Sequence, residues 1–288
     1  MEVIIRPDEQ AAAELVAAII AKELTARPQL VLGLATGATM ERVYDELVRR
    51  HREEGLDFSL CRTFNLDEYI GLPPDDPRSY RSYMNRQLFS RVNIDLRNTH
   101  LPDGMAQDLQ AECRRYEELI SDCGGIDLQL LGIGRSGHIG FNEPLSALRS
   151  RTREKALAPT TIAQNAIYFG GDPAKVPCRA ITMGVGTILE AHRCILLATG
   201  AAKADIVAKA VEGPITAMVT ASVLQLHPRC TVVVDEAAAS RLQGTDYYRW
   251  IFENEPEWAE FRRSSGRHVL RKPTNVQPRP RRRAGARR

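Results

Sequence analysis

The sequence predicts a single-domain α/β protein built on an open, mostly parallel sheet with helices on both faces, a Rossmann-like architecture. Short apolar runs alternate with amphipathic stretches over most of the 288 residues. The apolar runs lack the every-second-residue alternation of a half-exposed sheet, which favours parallel strands covered on both faces. The chain is also long enough to bury a large core, and it contains no internal repeat.

The predicted elements follow one another in strand–helix order. Five apolar runs are predicted as strands: 29–35, 62–66, 126–134, 193–200 and 231–236. Four stretches with apolar residues at helical spacing are predicted as helices: 7–24, 38–54, 106–122 and 201–213. The last helix ends at Gly213-Pro214, a pair that stops helices. In such a fold, ligands bind beyond the carboxyl ends of the strands.

The positive charge is concentrated at the end of the chain. Residues 271–288 contain eight of the 39 Lys and Arg and no acid, so the remainder carries 31 basic against 36 acidic residues. This basic, proline-punctuated segment has almost nothing to bury, which predicts one domain over residues 1–270 and a disordered tail over 271–288. The tail lacks the aromatic residues that stack on bases, so no nucleic-acid partner is expected.

Composition predicts a cytoplasmic protein with no membrane partner. No apolar run reaches the ~18 residues of a membrane span, and the first ten residues lack the layout of a signal peptide. The six cysteines form no C-x-x-C pair and no cluster with zinc spacing. We therefore expect reduced thiols and no metal site.

The first candidate binding loop lies in LGLATGATMERVY, residues 32–44. A strand there ends in a turn of small residues, 35–39, before a helix, and its candidate binding residues are Thr36, Gly37, Ala38 and Thr39. Backbone N–H groups at a helix N-terminus, aided by threonine hydroxyls, form an anion site that suits phosphate. Taken alone, the loop fits an ordinary capped turn equally well.

The second candidate is the pair Asp67 and Glu68, which closes an apolar strand in RTFNLDEYIGLP. Adjacent side chains on an extended segment point in opposite directions, so we expect only one carboxylate to face a ligand. Two solvated charges at a strand end are the alternative interpretation.

The third candidate is GIGRSGHIGFNEP, residues 132–144. Its start satisfies G-x-G-x-x-G, but a glycine and a proline follow instead of the helix that a dinucleotide site requires. Glycines around His138 allow the backbone to approach a ligand closely, and Glu143 is near enough in sequence to orient the imidazole. Ser136 lies two residues before the histidine, where its hydroxyl can hydrogen-bond the ring.

Together these three motifs, in this order and spacing, resemble the glucosamine-6-phosphate deaminase family. Further segments that fit this resemblance are RTREK, ITMGVGTIL, KAVEG and SVLQLHP, so that it covers residues 2–245. It implies conversion of glucosamine 6-phosphate and water to fructose 6-phosphate and ammonia, without a cofactor, by a homo-oligomer. The domain over residues 1–270 would then be an amino-sugar-phosphate isomerase and deaminase.

The resemblance also implies a role for each site residue. Asp67 takes the C2 proton of the sugar, and a carboxylate suits this if its pocket raises its basicity. His138 opens the sugar ring with Glu143 as its partner, and Ser136 replaces the Asp or Asn usual in the family. Lys203 matches the lysine that binds phosphate together with the 36–39 loop.

A second departure from the family lies in NAIYF, where Ile167 replaces an arginine that reaches the phosphate. Its loss weakens binding by ~1.5–3 kcal/mol unless another arginine, such as Arg149, Arg151 or Arg153, takes its place. These departures leave two alternatives open. One is the same chemistry on another sugar, such as galactosamine 6-phosphate or an unphosphorylated amino sugar, and the other is a sugar-phosphate sensor without turnover.

Overall fold

The computed structural model describes residues 1–264, which form ten strands and ten α-helices. The strands are β1 Glu2–Arg6, β2 Val31–Leu34, β3 Arg62–Asn65, β4 Asp67–Tyr69, β5 Thr99–His100, β6 Leu128–Leu131, β7 Arg153–Ala156, β8 Arg179–Thr182, β9 Arg193–Ala198 and β10 Cys230–Asp235. The helices are α1 Glu9–Ala26, α2 Ala38–Glu54, α3 Tyr80–Gln87, α4 Leu109–Asp122, α5 Pro159–Asn165, α6 Val185–Leu189, α7 Ala204–Val211, α8 Glu236–Ala239, α9 Thr245–Asn254 and α10 Ala259–Ser264. The predicted tail, 271–288, lies outside the described residues.

Seven strands form the main sheet in the order β1-β10-β9-β6-β2-β3-β5, and every neighbouring pair is parallel. The predicted α/β class and parallel sheet are therefore confirmed. The chain proceeds from β2 outward to β3 and β5, then returns to place β6 on the other side of β2. Loops that leave adjacent strands in opposite directions open a crevice at this point, where such folds bind ligands.

Burial explains why the sheet strands read as continuous apolar runs. All residues of β2, β6, β9 and β10 are buried, as expected for parallel strands covered on both faces. Helix α1 is so rich in alanine and aliphatic residues that nine of its 18 residues are buried. Its first turn is capped by the Asp8 carboxylate, which accepts from the Ala11 N–H at 2.8 Å.

The sequence missed the sheet edges and a second sheet. Strands β1 and β5 were not predicted, and β4, β8 and β7 form an antiparallel sheet of their own. The predicted strand 126–134 is shorter, because residues after Leu131 already belong to a loop. The predicted helix 201–213 is helical over Ala204–Val211, preceded by a 3₁₀ turn over Ala201–Lys203.

The six cysteines differ in their burial. No disulfide joins them within residues 1–264, and four of the six are buried. Cys178 is exposed and Cys123 is partly buried. Within the same range, no helix is both long and apolar enough to cross a membrane.

Candidate active site

The loops after β9, β6, β2 and β3 border one cavity of about 400 Å³ at the carboxyl edge of the main sheet. This volume suits a small metabolite. Predicted site residues that line it are Thr36, Gly37, Ala38, Thr39, Asp67, His138 and Lys203. Ser136 and Glu143 contact the ring of His138. The fold thus brings together all nine predicted site residues.

The 36–39 loop presents backbone donors to the cavity. Gly37, at φ 113°, is the N-cap residue of α2 and has no side chain with which to cap the first turn. Two tyrosine hydroxyls occupy carbonyls of the loop instead: Tyr44 donates to Ala35 at 2.5 Å and Tyr83 donates to Gly37 at 3.0 Å. Backbone N–H groups at the positive end of the helix dipole are a site for an anion.

Lys203 adds a positive charge to the same cavity. Its ammonium group donates to the Ile133 carbonyl at 2.6 Å. Burial lowers its pKa, and the charge of Arg135 lowers it further. The loop that carries it is held by Asp235, whose two carboxylate oxygens each accept from the Gly200 N–H at 3.0 Å. Asp235 therefore positions Lys203 without lining the cavity.

Asp67 is a buried carboxylate that borders the cavity, with 6% of its surface exposed. It lies on β4, where pairing with Thr182 fixes its backbone. Burial and then the nearby charge of Glu68 raise its pKa to about 8. No hydrogen bond from the residues that the structure describes stabilises its ionised form. Its oxygens are therefore available to a ligand, and its basicity suits proton abstraction near neutral pH.

Glu68 points away from the cavity, as the alternation along an extended segment predicted. Its carboxylate accepts from the backbone N–H groups of Tyr69, Tyr80 and Arg81, each at 2.9 Å. Two of these groups belong to the first turn of α3, so Glu68 anchors that helix. Both carboxylates are buried, which excludes the alternative of two solvated charges.

Two side chains orient the imidazole of His138 through its Nδ1 atom. Its Nδ1 lies 2.8 Å from the Ser136 hydroxyl and 3.0 Å from Glu143 Oε2. Burial raises the pKa of Glu143, but the hydrogen bonds from His138 and Thr161 and the charge of His138 lower it to about 2. An ionised carboxylate only accepts hydrogen bonds, so Nδ1 carries the proton. Nε2 is then the nitrogen that can exchange a proton with a ligand.

Two glycines make room for this arrangement. A Cβ on Gly134 would lie 2.1 Å from Nε2 of His138, so the ring packs directly on the Gly134 backbone. At Gly140, with φ +55°, a Cβ would lie 2.9 Å from the Thr182 hydroxyl and 3.5 Å from Asp67 Oδ2. The motif thereby lies against the strand pair that carries Asp67, and the imidazole and the carboxylate share one cavity.

Comparison with known proteins assigns this chain to a family. The family model described as glucosamine-6-phosphate isomerases and 6-phosphogluconolactonases matches residues 8–233. Glucosamine-6-phosphate deaminases from Streptomyces coelicolor and from Arthrobacter sp. strain FB24 are 50% and 52% identical to this chain over 258 residues, which is 90% of this chain and 99% of each relative. The chain belongs to the glucosamine-6-phosphate deaminase family.

The fold agrees with this membership. A solved structure described as a monomeric glucosamine-6-phosphate deaminase superposes with a TM-score of 0.82 at 45% identity, covering 84% of this chain and all of the other. The predicted resemblance to the deaminase family and the Rossmann-like class are both confirmed.

The second departure from the family, Ile167, lies at the surface. Its side chain is 74% exposed and does not line the cavity. None of the three arginines offered as substitutes lines it either: Arg151 pairs with Glu117 and Glu190, and Arg153 donates to Asn142. These three arginines therefore do not replace the missing one within the cavity, and the weaker phosphate binding expected from Ile167 stays a prediction.

Sequence reasoning also missed residues from α3 and α5. Cavity residues without a prediction include Arg78, Tyr80, Tyr83, Arg86, Thr161, Asn165 and Tyr168. Three of them, Tyr80, Tyr83 and Arg86, are spaced by three residues, a helical periodicity that was present in PRSYRSYMNR. No sequence pattern indicated Thr161. Its hydroxyl donates to Glu143, which lies 18 positions away in the sequence, so the contact depends on the fold.

Proposed function

We propose that this chain converts glucosamine 6-phosphate and water to fructose 6-phosphate and ammonia. The observation that carries the proposal is that the basic carboxylate of Asp67 and the oriented imidazole of His138 line the same cavity as an anion-binding loop. A pure sensor requires the loop but gains nothing from a carboxylate with a pKa of about 8. Membership of the deaminase family supports the same reaction.

The phosphate group provides the anchor. In our proposal its oxygens accept from the N–H groups of the 36–39 loop, with the hydroxyls of Thr36 and Thr39 as further donors. The ammonium group of Lys203 supplies charge neutralisation at the same end of the cavity. Binding energy from this remote group holds the sugar carbons against the catalytic side chains.

Ring opening is assigned to His138. Nε2 takes the proton of the anomeric hydroxyl and returns a proton to the ring oxygen, which gives the open-chain aldehyde. The ionised Glu143 and the Ser136 hydroxyl hold Nδ1–H during both transfers, so the imidazolium that forms in between is stabilised by an adjacent negative charge. Ser136 thus acts as a positioning residue in the place where the family usually has a carboxylate or amide.

Isomerisation is assigned to Asp67. Its carboxylate removes the proton from C2 of the open-chain sugar while the aldehyde oxygen takes a proton from the substrate's own ammonium group, which leaves a neutral enolamine. The Asp67 carboxyl then returns its proton to C1. The product is an iminium at C2, to which water adds before ammonia leaves, and the ketone of fructose 6-phosphate remains. Every step is a proton transfer, an addition of water or a loss of ammonia, so the reaction requires no cofactor.

A substrate panel tests the proposal. The purified protein is incubated with glucosamine 6-phosphate, galactosamine 6-phosphate, glucosamine and 6-phosphogluconolactone, and ammonium, ketose phosphate and lactone loss are followed. We expect equimolar ammonium and fructose 6-phosphate from glucosamine 6-phosphate, with kcat/KM for unphosphorylated glucosamine lower by on the order of 100-fold. Preference for galactosamine 6-phosphate would replace the substrate but keep the chemistry. If every phosphorylated compound raised the melting temperature of the protein and none led to ammonium release, the protein would be a sugar-phosphate sensor.

We also propose a homo-oligomeric assembly and a cytoplasmic location for this protein. A homo-oligomer in the cytoplasm was expected from the sequence, whereas the solved relative at 45% identity is described as monomeric. Size-exclusion chromatography with light scattering, on the full chain, distinguishes one copy from several.

A further inference from the structure

A phosphate dianion in this cavity faces three cationic side chains: Arg78, Arg86 and Lys203. Two of them already have partners. The Arg78 guanidinium donates to Asp76 at 2.8 and 2.5 Å and lies 5.4 Å from the ring centre of Phe169. The ammonium group of Lys203 donates to a backbone carbonyl, which leaves its charge unpaired but uses one of its three donors.

Arg86 differs from both. Within residues 1–264 it forms no hydrogen bond and no ion pair, although it borders the cavity. A guanidinium has five donors in a fixed planar fork, the geometry that phosphate oxygens match. All five donors of the Arg86 guanidinium are therefore available to a phosphate at the edge of the site.

The helix that carries Arg86 also places it near the anion-binding loop. Tyr80, Tyr83 and Arg86 are spaced by three residues and all line the cavity, so one side of α3 faces it. The middle member of this row contacts the loop directly, since the Tyr83 hydroxyl donates to the Gly37 carbonyl at 3.0 Å. Burial raises the pKa of Tyr83, and the positive charge of Arg86 offsets a small part of that rise.

We propose that Arg86 is the second cation of the phosphate subsite, pairing with the phosphoryl group that the 36–39 loop and Lys203 bind. This inference rests on the proposed function for the identity of the ligand. It accounts for how the chain tolerates Ile167, whose side chain is directed to solvent and contributes no charge. Glu68 has an indirect part, because it anchors the first turn of α3 and thereby sets the position of Arg86.

The test compares Arg86→Gln and Arg86→Lys with the matched control Arg91→Gln. Arg91 follows α3 in the chain, pairs with Asp45 at 2.7 Å and does not line the cavity. In Arg86→Gln we expect KM for glucosamine 6-phosphate to rise on the order of 10- to 100-fold with kcat changed less than about threefold. Arg86→Lys should recover part of the loss, and the control should behave as wild type.

Binding of inorganic phosphate, measured by calorimetric titration, separates this inference from the proposed function. We expect Kd for phosphate to rise by about the same factor as KM in Arg86→Gln, even if the wild type were to release no ammonium. Wild-type phosphate affinity in Arg86→Gln would overturn the inference whatever the enzyme does. Equal losses in Arg86→Gln and Arg91→Gln would also overturn it, because the effect would then be one of overall surface charge.

Discussion

Replacing Asp67 by asparagine should stabilise the protein while slowing its turnover by about 100- to 10,000-fold. The pKa of this carboxyl rises from 3.8 in a solvated aspartate to about 8 in the fold. The unfolded chain therefore releases the proton near pH 4 and the folded protein keeps it until about pH 8. Between these values the unfolded state binds fewer protons, so the free energy of unfolding falls as pH rises.

The magnitude follows from the size of this window. From pH 3.8 to pH 7 it covers roughly three pH units, which corresponds to about 4 kcal/mol of lost stability in the wild type. The asparagine variant does not ionise and avoids this cost. Any loss from poorer packing or hydrogen bonding of its amide is the same at both pH values and cancels in a comparison across pH.

Urea unfolding at pH 5 and pH 7 measures the effect. The advantage of Asp67→Asn over wild type should grow by about 3 kcal/mol between the two, since two pH units of the window lie in that interval. Glu117→Gln is the control, because its effect on the free energy of unfolding should have the opposite sign. Burial raises the pKa of Glu117, but hydrogen bonds from Thr152 and Thr187 lower it overall, so the variant should lose stability. An advantage of Asp67→Asn that is independent of pH would refute the reasoning.

Two further substitutions test the neighbourhood of the imidazole, and a third tests the backbone at Leu145. Gly134→Ala should reduce kcat/KM by on the order of 100-fold without unfolding the protein, because its Cβ displaces the ring of His138; circular dichroism together with turnover checks this. Ser136→Ala should cost less than about tenfold in kcat, since Glu143 still holds Nδ1 at 3.0 Å, and a loss as large as that of Glu143→Gln would contradict the assigned roles. Leu145, 77% exposed at φ 69°, is the one residue other than glycine with positive φ in the described part of the chain. Leu145→Gly should therefore raise the free energy of unfolding by about 1 kcal/mol, whereas Leu145→Ala should not, and equal effects of the two would exclude backbone strain.

The sequence predicted the parts of the molecule that depend on local pattern. Buried parallel strands such as β9 and β10 are continuous apolar runs, and α1 and α2 have helical periodicity with caps or glycine stops at their ends. Strand β1 was missed because only three of its five residues are buried. The β4-β8-β7 sheet was missed because its strands are three or four residues long and their pairing joins distant segments.

In the candidate site, too, the sequence predicted the residues that local pattern identifies and missed those that helix packing brings in. Asp67, His138 and the 36–39 loop lie at strand ends, a location that parallel-sheet topology assigns to ligand binding. The pairing of Glu143 with His138 spans five residues and was within reach of sequence reasoning. The contact of Thr161 with Glu143 and the orientation of Arg86 depend on how α5 and α3 pack over the sheet, which no local pattern encodes.

The central claim is that Asp67 is the base whose ionisation controls turnover. The most direct test is kcat/KM for glucosamine 6-phosphate from pH 6 to pH 9, followed by ammonium release, in wild type and Asp67→Asn. The account predicts a wild-type rate that rises with pH to a plateau with an apparent pKa near 8, the value for Asp67 in the free protein. It also predicts that the variant is about 100- to 10,000-fold slower and lacks this rise. A variant with wild-type rates, or one that retains the rise, would contradict it.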